Sequence, residues 1–95
     1  MRDREIPMMT LKIEAVHEGD AAVLRIVGRV ESEYVNELSS QMRAHHASTL
    51  DLDEVTLVDI AAVRFLAACD ADGVELLNCP PYIREWMSRE QHRAV

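Results

Sequence analysis

The fold this sequence predicts is a small α/β sandwich. A mixed four-stranded sheet, with an antiparallel N-terminal hairpin plus parallel strands, carries about three helices in the order β-β-α-β-α-β-α. Three observations predict it. Two apolar stretches near the start stand on either side of a glycine-containing turn. Helical spacing then alternates with extended segments through the rest of the chain. Finally, "VTLVDIAAVRFLAA" (55–68) runs from an extended segment straight into a helical one through a single acid, Asp59.

The elements follow in order. "MTLKIEAV" (9–16) alternates, with Met9, Leu11, Ile13 and Ala15 on one side, the period of a half-buried strand. "HEGD" (17–20) supplies a turn and "AAVLRIVG" (21–28) a second strand, so the two should pair antiparallel. Ser32 is placed to cap a helix through "ESEYVNELSSQMRAHH", where Val35, Leu38 and Met42 make an apolar stripe in polar surroundings. "STLDLDEVTLVD" (48–59) is a third strand, with Leu50 and Leu52 alternating with Asp51 and Asp53 and the pattern resuming at Val55 and Leu57. Asp59 is a good N-cap for the next helix, on which Ala62, Phe65, Leu66 and Cys69 share a face. "DADG" (70–73) ends that helix, with Gly73 as its stop, and "VELLNC" (74–79) is a short fourth strand. "PPYIREWMSRE" starts a last helix with Pro81 in its first turn and buries Ile83, Trp86 and Met87, while the tail "QHRAV" should fray. A β-α-β-α-β run requires right-handed crossovers between parallel strands, and the hairpin adds an antiparallel edge.

Length and composition bound what such a fold can do. Ninety-five residues make one domain, 1–95, with a core at about 9–88. A net charge of −7 argues against non-specific binding to nucleic acid or to anionic membranes, whose phosphates it would repel. No apolar run approaches a membrane span and no leader sequence is apparent, so a cytoplasmic location is expected. The two cysteines, Cys69 and Cys79, make no disulfide framework and fit a reducing compartment.

Three segments carry a resemblance to a known family. "AVLRIVGRVESEYVNEL", with Gly28, is similar to the second strand and following helix of the STAS family, the sulfate-transporter and anti-sigma-factor-antagonist domain. "TLDLDEVTLVDIAAVRFL" resembles that family's central strand, loop and helix, often written D-L-S-x-V-x-x-x-D-S-S-G-L, and "GVELLNCPPYIREWM" its next strand and short helix. In the antagonists, the resemblance implies, a serine in the D-S-S-G stretch is phosphorylated by a partner kinase, and the phosphate breaks the complex. Here Asp59 matches the aspartate, Ile60 and Ala61 replace the two serines, and Ala62 replaces the glycine. Ala61 is therefore the phosphosite equivalent, and it has no oxygen to phosphorylate.

Each candidate site has a plainer reading beside it. Asp59 is either a recognition acid or simply a helix cap, and the two are compatible. The nearest hydroxyls are Ser32 and Thr56, and nothing in their spacing favours phosphorylation. Seven acids lie between Asp51 and Glu75 against one base, Arg64, which reads as a solvated edge before it reads as a cation site. Cys69, Cys79, His45 and His46 fit no metal-ligand spacing, and Cys69 falls on an apolar helical face. Tyr82 with Trp86 makes either an exposed anchor or, for Trp86, packing beside Ile83. The three glycines are too far apart for a phosphate loop.

The expectation is thus a non-catalytic protein-interaction module without cofactor or metal, resembling an anti-sigma-factor antagonist that lacks phosphorylation switching. Its partner-binding residues would be Asp53, Glu54, Asp59, Ile60, Ala61, Ala62 and Arg64. The resemblance implies a protein partner, either an anti-sigma kinase or a transporter or other signalling subunit. A homodimer through the opening edge strand is a further arrangement the hairpin permits. The alternatives are a STAS-type subunit of a transport or signalling assembly, or a small metal or thiol protein.

Overall fold

The structure, a computed structural model, describes residues 11–93. Met9 and Thr10, expected to open the first strand, and the last two residues of the tail lie outside the described residues. The element order is the expected one: β1 (Leu11–Glu18), β2 (Ala21–Val30), a 3₁₀ turn (Ser32–Tyr34), α1 (Val35–His45), β3 (Thr49–Val58), α2 (Ile60–Ala71), β4 (Glu75–Leu77) and α3 (Pro81–Arg93). The sheet order is β1-β2-β3-β4, with β1 antiparallel to β2 and the other two pairings parallel.

One face of the sheet meets all three helices in a single apolar core. Leu24, Ile26 and Val30 from β2, and Leu50, Leu52, Val55 and Val58 from β3, pack with Leu38, Ala62, Val63, Leu66, Ile83 and Met87 from the helices. The other face mixes Val16, Val23 and Val27 with charged residues. There Lys12 and Arg25 pair with Glu14 at 3.1 and 3.4 Å, and Arg25 also reaches Glu54 at 3.2 Å. Lys12–Glu14 lies along β1, whereas the two Arg25 pairs cross between strands and specify register more than they stabilise.

α2 packs against α3 as well as into the shared core, which is why most of its length is apolar, with an exposed stripe at Ile60, Arg64 and Ala68. Besides Ala62, Leu66 and Cys69, it buries Val63 and Ala67, while Phe65 is half-buried. Its end is the expected one. Val74 N–H donates to Cys69 O at 2.9 Å and Gly73 N–H to Asp70 O at 3.1 Å, a Schellman closure in which Gly73 adopts φ +96°. α1 closes the same way, with Ala47 N–H on Met42 O and His46 N–H on Arg43 O. The left-handed residue there is His46 (φ 52°), a costlier choice than glycine.

Several local expectations need correction, including a fourth strand that spans only Glu75–Leu77 and a Trp86 that is only partly buried. Ser32 does not cap α1: no side-chain bond caps either the 3₁₀ turn or α1, and the Ser32 backbone N–H has another partner, described below. β1 continues to Glu18 and β2 to Val30, so the hairpin turn shrinks to Gly19–Asp20. α3 continues through Gln91 to Arg93, where fraying was expected. Leu57 is 48% exposed instead of continuing the apolar alternation.

The reason for the last lies in the β2–β3 pairing. Its register shifts twice, between Arg25 and Val27 and again between Gly28 and Arg29. Each shift gives β3 an extra residue, and each extra residue reverses which face the following side chains take. Burial on β3 therefore runs Leu50, Leu52, Val55, Val58, with spacings of two and then three. Gly28, at φ +104°, supplies the backbone conformation that the second shift uses on β2.

Candidate functional site

The corner between β3 and α2 is held together by one side chain. Asp59 is extended (φ −108°, ψ −178°), and its Oδ1 accepts the Ala62 N–H at 2.9 Å, which makes it the N-cap of α2. Its Oδ2 accepts the Ser32 N–H at 2.8 Å. The Asp59 N–H in turn donates to Val30 O at 3.3 Å. A single carboxylate therefore starts the helix and fastens the C-terminal ends of β2 and β3 to each other. Sequence spacing reveals the first role but not the second, because the second partner is a backbone N–H 27 residues upstream.

Beside this staple, apolar side chains reach the surface among the exposed Ser32 and Thr56. Ile60 is 39% exposed, Ala61 is half-buried and Ala62 is fully buried beneath them. Leu57 precedes the corner on the exposed side of the bulge, and Tyr82, 45% exposed, donates its hydroxyl to Thr56 O at 3.3 Å. That bond uses a carbonyl on β3 beyond the reach of β4, which pairs only with Thr49 to Asp51. Leu57 and Tyr82 were absent from the expected binding surface. The signal for Leu57 was present in the three-residue step from Val55 to Val58.

The other expected residues are placed differently. Arg64, one turn into α2, is turned toward α3, where its Nε donates to Glu90 Oε1 at 3.1 Å. Asp53 and Glu54 sit at the first β3 bulge, five to six residues before Asp59, which along a strand is about 15–20 Å. Glu54 is held by Arg25 on the sheet face away from the helices. The Asp53 N–H donates to Asp51 Oδ1, which also accepts from Asn78 Nδ2. The corner thus brings Asp59, Ile60, Ala61 and Ala62 together, and Asp53, Glu54 and Arg64 stand apart from it.

Little at this corner can do covalent chemistry. Both oxygens of Asp59 are engaged, and Ile60, Ala61 and Ala62 carry no heteroatom in their side chains. The acids from Asp51 to Glu75 are dispersed: Asp70 lies 3.9 Å from Arg84, and Asp72 stands at the end of α2. Among the described residues no group of three or more His, Cys, Asp or Glu comes together to hold a metal ion. Burial, helped by the nearby Asp72 charge, pushes the Cys69 thiol up to about 11. Burial also raises Cys79, against the opposing pull of Arg84. Both thiols are thereby held in the protonated, weakly nucleophilic form. Among the described residues, no helix is long and apolar enough to cross a membrane.

A mixed four-stranded sheet with this connectivity, and three helices on one face, is the STAS fold. Among the solved structures that share it with this chain are the anti-sigma factor antagonist SpoIIAA in its unphosphorylated form and the Bacillus cell fate determinant SpoIIAA in its phosphorylated form. The first has a TM-score of 0.58 and 14% sequence identity, covering 86% of this chain and 81% of that one. The second has a TM-score of 0.53, also at 14% identity, covering 85% and 83%. No family model and no curated protein sequence matches the chain.

Proposed function

We propose that this chain is a non-catalytic protein-binding module of the anti-sigma-factor-antagonist type, and that it binds without a phosphorylation switch at Ala61. The binding surface is the β3–α2 corner with Ile60 at its centre, bordered by Leu57 and Tyr82, with Asp53, Glu54 and Arg64 as outlying charged contacts. The observation that carries this reading is the double use of Asp59. With both carboxylate oxygens satisfied inside the chain, the corner is a rigid, preorganised apolar projection, and rigid anchors lose little entropy on binding. The shared fold with SpoIIAA supports the module class, and the side chains of Ile60 and Ala61 argue against a phosphorylatable hydroxyl at its first two helical positions.

The test is capture from the native host with wild-type chain and with Ile60→Arg as bait, the bound proteins being identified by mass spectrometry. A sigma-regulatory kinase retained by wild type and lost on Ile60→Arg supports the proposal. Recovery of transporter subunits would move the chain to another assembly, and equal retention by both baits would place the interface elsewhere.

A further inference from the structure

Far from the corner, the fold brings together two histidines that the sequence separates by 28 positions. His17 lies near the end of β1 and His45 is the last residue of α1. His17 Nε2 and His45 Nδ1 are 3.3 Å apart, with ring centroids 5.3 Å apart and planes tilted by 53°. His17 alternates with Leu11 and Ile13 and so lies on the helix-bearing side of the sheet. The Schellman closure at His46 fixes the end of α1 and with it the position of His45.

From this juxtaposition we propose that His17 and His45 form a two-imidazole site for a borderline divalent transition ion such as Zn²⁺. Two ligands at about 2.05 Å from a tetrahedral ion stand about 3.3 Å apart, which matches the observed separation. Imidazole pairs favour Zn²⁺ and its transition-metal neighbours over Ca²⁺ or Mg²⁺, which require oxygen-rich shells. Without the ion, one ring nitrogen donates its proton to the other. With it, each ring carries its proton on the far nitrogen, Nδ1 of His17 and Nε2 of His45, so that both near nitrogens present lone pairs. Starting from neutral rings, this is a change of tautomer. Water completes the coordination. The bound ion clips the tip of the β1–β2 hairpin to the end of α1, joining segments remote in sequence, and stabilises the folded state by mass action. The proposal is independent of the partner-binding reading.

The experiment is isothermal titration of ZnCl₂ into the untagged, chelator-stripped full chain, using wild type, His17→Ala, His45→Ala and His46→Gly. One zinc per chain is expected for wild type and His46→Gly, with at least a tenfold loss of affinity in each of the other two. Circular dichroism of each variant excludes misfolding as the cause. The imidazole resonances of wild-type His17 and His45, followed by NMR during the titration, should shift together and ahead of those of His46. No zinc uptake by wild type would overturn the proposal, as would an affinity that survives His17→Ala or depends equally on His46.

Discussion

Replacing Asp59 with alanine removes two hydrogen bonds of different kinds. Loss of the Ala62 cap costs about 1 kcal/mol. Loss of the Ser32 bond costs about another 1 kcal/mol, because it is charge-assisted but reached by solvent. Asp59→Ala should therefore destabilise the domain by about 2 kcal/mol, a fall in Tm of about 8–16 °C for a chain of this size. Ser32→Pro isolates the second contribution. It deletes the N–H at the start of the 3₁₀ turn, and the preceding Glu31 is already extended (φ −118°, ψ 165°), as a residue before proline prefers. Alone it should cost about 0.5–1 kcal/mol, and in the Asp59→Ala background almost nothing. The assay is urea unfolding of the four chains, with Trp86 fluorescence as the signal and the slopes checked for equality. An Asp59→Ala chain within 0.5 kcal/mol of wild type would refute the stapling role. Strict additivity of the two substitutions would refute the Ser32 contribution.

Four further outcomes are expected. His46→Gly should stabilise the domain by about 0.5–1 kcal/mol, because it relieves the left-handed strain at the end of α1; thermal unfolding measures it, and a lower Tm would count against the reading. With its thiol pushed up to about 11, Cys69 is only about 0.1% thiolate at pH 8, so a thiol reagent should label Cys79 first. A thiol whose folded pKa lies above its unfolded value holds its proton more tightly in the folded state. Stability should accordingly decline as pH rises above about 9, and less so in Cys69→Ala; unfolding at pH 8 and 10 checks the sign. Arg64→Ala should change stability by less than about 1 kcal/mol, since Arg64 pairs with Glu90 at the surface, and a larger loss in urea unfolding would show a packing role instead.

Most of the fold was legible because hydrophobic period and helix stops are local signals. The step from strand to helix at Asp59, the stop at Gly73 and the entry at Pro81 all follow from residue chemistry within a few positions. What escaped depends on pairing across the chain. The two β3 bulges exist only against β2, so Leu57 looked like a core residue until its phase was reversed. Ser32 looked like a cap because serine usually is one, yet its backbone N–H, not its hydroxyl, carries the bond that matters. The site was half legible for the same reason. Asp59 to Ala62 are contiguous and so stand together at the corner, whereas Tyr82 reaches it from α3 and the His17–His45 contact spans two elements. Neither has a signature in spacing.

The most direct measurement is the affinity of the captured partner for the wild-type chain, titrated calorimetrically with and without Mg·ATP, the intact mass of the chain being read afterwards. A corner that binds constitutively should give the same Kd in both, no added phosphate, and at least a tenfold weaker Kd with Ile60→Arg. A phosphate gained on any serine or threonine together with loss of binding would contradict it.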